Sequence, residues 1–179
     1  VTDPFSNEQG DPFGDPQRNS NRPNMAELYG RLILLEPRKI ETVKNNLSSD
    51  PGATVDRLTT DLDILDGEFP IVRLDGRTGQ TFDKLRPPKP QPEPLTERHY
   101  DSMWINPTGI VNACRASVAG RGPRMILGRV RLGEAKAGMS APYYLEPGSE
   151  KDKDAAREYL AARAVANPQS LVWQGRIVE

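Results

Sequence analysis

Apolar and polar side chains alternate along much of this chain with the period of two that belongs to β-strands. From Glu27, the run ELYGRLILLEP sets Leu28, Leu32 and Leu34 against Tyr29, Arg31 and Ile33. It predicts a mostly buried strand interrupted by Pro37, with RKIETVK (38–44) continuing as extended chain. Turn residues follow in LSSDPG (47–52),. TVDRLTTDLDILDG then puts Leu58, Leu62 and Ile64 on one face and Arg57, Asp61 and Asp63 on the other. This predicts a half-buried strand that ends in an Asp66-Gly67 turn. A shorter strand is expected at 71–74, before the turn-prone DGRTG at 75–79.

Pro87, Pro88, Pro90, Pro92 and Pro94 crowd into eight residues, a polyproline-like spacer that no sheet interior accepts,. The pieces on either side are small for independent domains, so 86–95 reads as a surface loop between two halves of one fold. YDSMWIN (100–106) predicts a strand carrying Trp104, and Pro107-Thr108-Gly109 turns the chain into an apolar stretch at 110–118 that suits a helix. In RMILGRVRL, Met125, Leu127, Arg129 and Arg131 share one strand face and Ile126, Val130 and Leu132 the other, with the guanidinium groups expected to face outward. The small-residue loop GEAKAGMSAP leads to Tyr143-Tyr144-Leu145. Ser149 and Asp152 have the spacing of a capping box and open a helix to about Ala166, with Ala156, Tyr159, Leu160 and Arg163 at helical spacing,. A last strand carrying Trp173 is expected at 171–178. Several strands with one or two short helices point to a mainly β class, an OB-like small β-barrel with appended helices, over a βαβ array.

Composition adds boundaries to this picture. The chain has 179 residues, the size of one domain, yet only 36% are hydrophobic, so part of the length is expected outside the core. Residues 1–24, rich in Asp, Asn, Pro, Gly and Gln, read as a disordered acidic arm,. That leaves 25–179 as a single domain. Within the arm, Asp3-Pro4-Phe5 and Asp11-Pro12-Phe13 repeat an acid, a proline and an aromatic, and Phe5 and Phe13 are candidate partner-binding residues. The one cysteine, Cys114, excludes an intramolecular disulfide or a Cys-rich zinc site, and the one histidine, His99, leaves no pair for a His-based metal site,. No run approaches the ~18 apolar residues of a membrane helix. With a net charge of -1 and a pI near 6.0, any binding of a polyanion must come from a localised surface.

Such a surface is suggested by residues 112–138, where Arg115, Arg121, Arg124, Arg129, Arg131 and Lys136 face a single acid, Glu134. Gly128 and Gly133 have the spacing that begins a P-loop, but Glu134-Ala135 stands where Lys and Ser/Thr are required,. Nucleophilic catalysis through Cys114 or a serine lacks a recognisable elbow around His99. A metal-dependent nuclease is an alternative that would use Asp61, Asp63, Glu134 and Lys136. Single-stranded nucleic acid needs cations along its backbone and aromatics on which bases stack. Arg115, Arg121, Arg124, Arg129, Arg131 and Lys136 supply the first, and Trp104, Tyr143 and Tyr144 the second. No basic recognition helix supports duplex reading.

LYGRLILLEP, TVDRLTTDLDILDG, a Trp-bearing strand and RMILGRVRLGEAKAGMSAPYYLEP followed by a charged helix together resemble the single-stranded DNA-binding proteins of tailed phages that infect actinobacteria. The likeness covers residues 26–166. It implies an OB-like barrel, no cofactor, and protection of single strands in phage DNA replication or recombination in the cytoplasm of the infected host. It also implies that Gly128, Arg129, Gly133, Glu134, Ala135, Lys136 and Gly138 belong to the binding region. The C-terminus, Arg176-Ile177-Val178-Glu179, departs from the acidic Pro-Phe tail of bacterial proteins with this function, and the Asp-Pro-Phe repeats are the candidate substitute for contacting replication or recombination proteins. Homo-oligomerisation stays open, as does a third class, a phage structural or interaction protein using the Pro-rich loop.

Overall fold

The computed structural model of the protein describes residues 21–45, 48 and 50–166. Most of the acidic arm, with Phe5 and Phe13, and the strand expected at 171–178 lie outside the described residues. Among the described residues the fold is mainly β: one five-stranded antiparallel sheet with three helices. The strands are β1 (Leu32–Lys44), β2 (Thr54–Ile64), β3 (His99–Ile105), β4 (Ile126–Leu132) and β5 (Tyr143–Pro147). Their order across the sheet is β3-β2-β1-β4-β5. β3 and β5 are thus the two edges, and the sheet does not close.

The central strand is longer than the sequence pattern suggests. β1 pairs with β2 from Ile33 to Lys44 and with β4 from Leu32 to Leu35. Pro37 does not end it. A register shift between Pro37 and Lys39 absorbs the missing N–H as a bulge, and the strand resumes,. At the other end the expected strand start is a helical turn, α1 (Met25–Leu28). Asn24 Oδ1 accepts from the N–H groups of Ala26 (3.0 Å) and Glu27 (3.2 Å), while Glu27 Oε2 accepts from Asn24 N–H at 2.8 Å. This reciprocal cap holds the helix start. The other Glu27 oxygen, Oε1, accepts from Arg73 Nε at 2.7 Å and from Leu74 N–H at 2.9 Å, so the buried carboxylate has a cation and N–H groups around it,.

The two faces of the sheet are buried differently. Ile33 and Leu35 of β1, Leu58, Leu62 and Ile64 of β2, Met103 and Ile105 of β3 and Val130 of β4 form the main core. Closing over them are Leu28 of α1 and Ile110, Val111 and Cys114 of α2 (Thr108–Val118). Cys114 is fully buried among them as a packing residue, and that burial pushes its thiol up to about 11,. Leu32 and Leu34 are also buried but stand outside that cluster, on the opposite face. That second face carries α3 (Glu150–Ala166), whose one buried residue is Ala156. The predicted capping box opens α3: Ser149 N–H donates to Asp152 Oδ2 at 2.9 Å and Asp152 N–H to Ser149 Oγ at 3.2 Å.

The strand expected at 71–74 reduces to a single bridge between Ile71 and Leu95. Its partner is the end of the Pro-rich loop, and proline nitrogens have no N–H with which to extend a ladder. That loop is fastened to the body by Gln91, whose amide accepts from Phe82 N–H at 3.0 Å and donates to Arg73 O at 2.8 Å.

Candidate nucleic-acid interface

Strand register brings together residues far apart in sequence. Thr59 of β2 stands opposite Trp104 of β3 on one side and Lys39 of β1 on the other, and Arg57 stands opposite Glu41. Residues directly opposite in a ladder share a face. Lys39, Thr59 and Trp104 therefore form one row, with Glu41 and Arg57 in the next, on the face away from the main core. Trp104 is 58% exposed. Arg57 holds one side of its ring, the guanidinium carbon lying 4.0 Å from the ring centroid, a cation–π pair that fixes the indole on a rigid strand. The Glu41 carboxylate sits between two cations, 3.0 Å from Lys39 Nζ and 3.5 Å from Arg57 Nη2. The bond from Lys39, reinforced by Arg57, holds its carboxyl below the usual carboxylate range. Beneath them Thr59 Oγ1 and Arg57 Nε are buried without a hydrogen-bond partner.

The arginines predicted to face outward as one cluster are instead divided. Arg129 is largely enclosed: Nη1 donates to Asp66 Oδ2 at 2.6 Å and to Gly30 O at 2.9 Å, and Nη2 to Asp152 Oδ1 at 3.0 Å. It ties β4 to α3 and to the turn after β2. Arg131 lies on the same face, bound to Glu146 at 2.8 Å and opposite Tyr144. Tyr144 is exposed, as expected of a stacking residue, whereas Tyr143 points the other way and packs against the main core. Arg124 is exposed and donates twice to Glu36.

Arg115 and Arg121 are on the opposite side. They line a groove with Ile40, Thr42, Asp56, Val118 and Ala119, on the core-facing parity of β1 and β2. Arg115 is bound there to Asp56 and to Asn112 Oδ1. Even the two groups on the shared face are apart. Arg129 is in register with Leu32, seven residues along β1 from Lys39, or about 23 Å at ~3.3 Å per residue. Lys136 and Glu134 are exposed in the loop beyond β4.

Asp61 and Asp63 are not half-exposed, as their polar alternation predicted, but buried at 6% and 5% exposure. Arg38, from the bulge of β1, covers Asp61, which also accepts Ser102 N–H at 2.9 Å. Burial raises the Asp61 pKa, but the bond from Arg38 and the Ser102 N–H outweigh it and leave the carboxyl below its ordinary value,. Asp63 accepts from Tyr159 OH at 2.8 Å and Arg163 Nη1 at 2.9 Å, both from α3, and lies 2.7 Å from His99 Nδ1. His99 Nε2 is 2.9 Å from Asp101. These acids are structural anchors for the bulge and for α3. Glu134 lies past Leu132, itself five residues beyond the row of Asp63, Leu34 and Leu127, or about 16 Å along β4. The combination proposed for a nuclease is not assembled, and among the described residues no group of three or more acids, histidines or cysteines could hold a metal ion.

Sequence reasoning missed Lys39, Glu41, Arg57 and Thr59 as members of a site. Alternation placed Arg57 on a polar face, but nothing in a single sequence says which strand lies beside which. No protein-family model matches the chain, and neither curated proteins nor solved structures give a match.

Proposed function

We propose that this protein is a non-enzymatic binder of single-stranded DNA, with little sequence preference, protecting single strands in phage DNA replication or recombination. The observation that carries the proposal is Trp104: a large aromatic, 58% exposed on a rigid strand, with a guanidinium across one face and the other available to a base. Base stacking on such a platform is worth on the order of 1–3 kcal/mol and tolerates any base. The frame supports it too. The strand order β3-β2-β1-β4-β5, with a helix between β3 and β4, is OB-like, with β3 and β5 the edges whose meeting would complete a barrel. The face of strands 2 and 3 is where such folds take oligonucleotides. Trp104, Thr59 and Arg57 lie on that face. Lys39, Arg131, Arg124 and Lys136 are exposed cations on or beside that face that would reach phosphates, since exposed ion pairs worth about 0–1 kcal/mol exchange partners readily,. Phe5 and Phe13 would serve protein partners in the replication or recombination machinery.

The test is a titration of a labelled oligo-dT at two salt concentrations. Affinity is expected to fall with salt with a log–log slope of about -0.7 per phosphate neutralised. Trp104→Ala is expected to weaken binding by roughly 5- to 150-fold, the equivalent of one lost stack. Absence of salt-sensitive binding by the wild-type protein would exclude the proposed function.

A further inference from the structure

Three features converge beside Trp104. The first is a carboxylate held between two cations on an exposed strand face, Glu41 with Lys39 and Arg57. Neither contact is strong: Lys39 and Glu41 are exposed, and the Arg57 contact is long at 3.5 Å. The second is Thr59, 7% exposed, whose hydroxyl stands without a partner in the same row. A buried hydroxyl left unpaired costs about 1–3 kcal/mol, and β-branched valine would occupy the position without that cost. The third is the unpaired Nε of Arg57, beneath the indole. A phosphate oxygen accepts from an ammonium, a guanidinium edge and a hydroxyl alike.

We propose that Lys39, Arg57 and Thr59 form a seat for one backbone phosphate, with Glu41 its resident anion, vacating the seat when a nucleotide stacks on Trp104. The inference rests on the nucleic-acid reading and deepens it. With Glu41 gone, Thr59 Oγ1 and Arg57 Nε donate to the phosphate that follows the base stacked on the free face of the indole. Glu41 swings into solvent, where an ionised carboxylate is well hydrated. The ligand is thus a single-stranded phosphodiester with an unpaired base, since a duplex buries the base face that Trp104 needs.

The experiment compares wild type, Glu41→Gln, Thr59→Val and the remote charge control Asp154→Asn in oligo-dT titrations across a salt series, with unfolding midpoints measured alongside. Glu41→Gln is expected to bind several-fold tighter at low salt. Its salt slope is also expected to steepen, because in wild type salt loosens the competing pairs of Glu41 with the same cations and so offsets part of the loss of phosphate contacts. Asp154→Asn should change neither. Thr59→Val is expected to bind at least fivefold more weakly while unfolding at the same or a higher denaturant concentration. If Glu41→Gln binds like wild type or no tighter than Asp154→Asn, or if Thr59→Val binds normally, the seat is overturned although Trp104-dependent binding stands. If wild type binds no oligo-dT at any salt, the nucleic-acid reading falls and the seat with it.

Discussion

Tyr159 of α3 donates its hydroxyl to Asp63 of β2 at 2.8 Å, joining the outer helix to an acid buried in the sheet. α3 buries only Ala156, so polar bonds carry much of its docking. Burial, with the bond to Asp63, pushes the Tyr159 phenol up to about 12 from its ordinary value near 10. A raised phenol pKa stabilises the folded state below pH 10, and that contribution is lost as pH rises from about 10 to 12,. Tyr159→Phe is expected to cost about 1–2 kcal/mol at neutral pH, through the lost bond to a charged acceptor. It should also show a smaller additional fall in stability between pH 10 and 12 than wild type, read from denaturant midpoints at each pH.

Arg129 and Arg131 sit two residues apart on β4 and should respond to truncation to very different degrees. Arg129 serves Asp66, Asp152 and the Gly30 carbonyl from a partly enclosed position. Its carboxylate partners raise its pKa, with its bond to Asp66 the largest cause. Arg129→Ala removes three bonds and the cation that Asp66 and Asp152 share and is expected to destabilise by about 2 kcal/mol. Arg131→Ala removes one exposed pair and should stay within about 0.5 kcal/mol of wild type. Urea unfolding of the two variants checks the contrast.

These contrasts show where sequence was sufficient and where it was not. Alternation at Leu58, Leu62 and Ile64, and in RMILGRVRL, located β2 and β4 because each has one apolar face. Leu32, Ile33, Leu34 and Leu35 are all buried, an unbroken apolar run that does not say that Leu32 and Leu34 face away from the main core, on the side of the sheet that carries α3. Asn24-x-x-Glu27 carried the signal for α1, but the apolar run after it reads equally as strand. The arginine-rich segment misled in a different way. Charge close in sequence was separated in space, because Arg115 and Arg121 follow α2 to one side while the β4 arginines face the other, and carboxylates from distant elements meet four of them. Lys39, Thr59 and Trp104 meet only through register across three strands, a non-local relation that a single sequence does not encode visibly.

Gly109, at the start of α2, lies against β5 so closely that a Cβ there would stand 2.6 Å from the Tyr143 carbonyl oxygen and 3.1 Å from Tyr144 Cβ. The obstacle is backbone, which cannot rotate aside. Gly109→Ala gains helix propensity of up to about 1 kcal/mol, but the helix must move off β5, and overpacking of this kind costs about 1–3 kcal/mol. A net loss of about 1 kcal/mol is expected. It should come with changed chemical shifts at Tyr143 and Tyr144 and unchanged shifts at Trp104, which lies on the far edge strand.

The division of the cations predicts which of them a single strand feels. Lys39 shares its row with Trp104, while Arg115 is on the other side of the sheet, engaged by Asp56 and Asn112. If the strand runs across Trp104, Lys39→Ala removes a phosphate contact and should lower the magnitude of the salt slope by about 0.7 while weakening binding to all sequences alike. Arg115→Ala should leave slope and affinity unchanged, although it carries the same loss of one positive charge. Equal effects from the two variants would mean that net charge governs binding. A larger effect from Arg115 would move the strand to the groove beside α2, between Ile40, Val118 and Arg121. Oligo-dT titrations of both variants over the same salt series separate the three outcomes, since the slope counts phosphate contacts independently of the strength of the stack on Trp104.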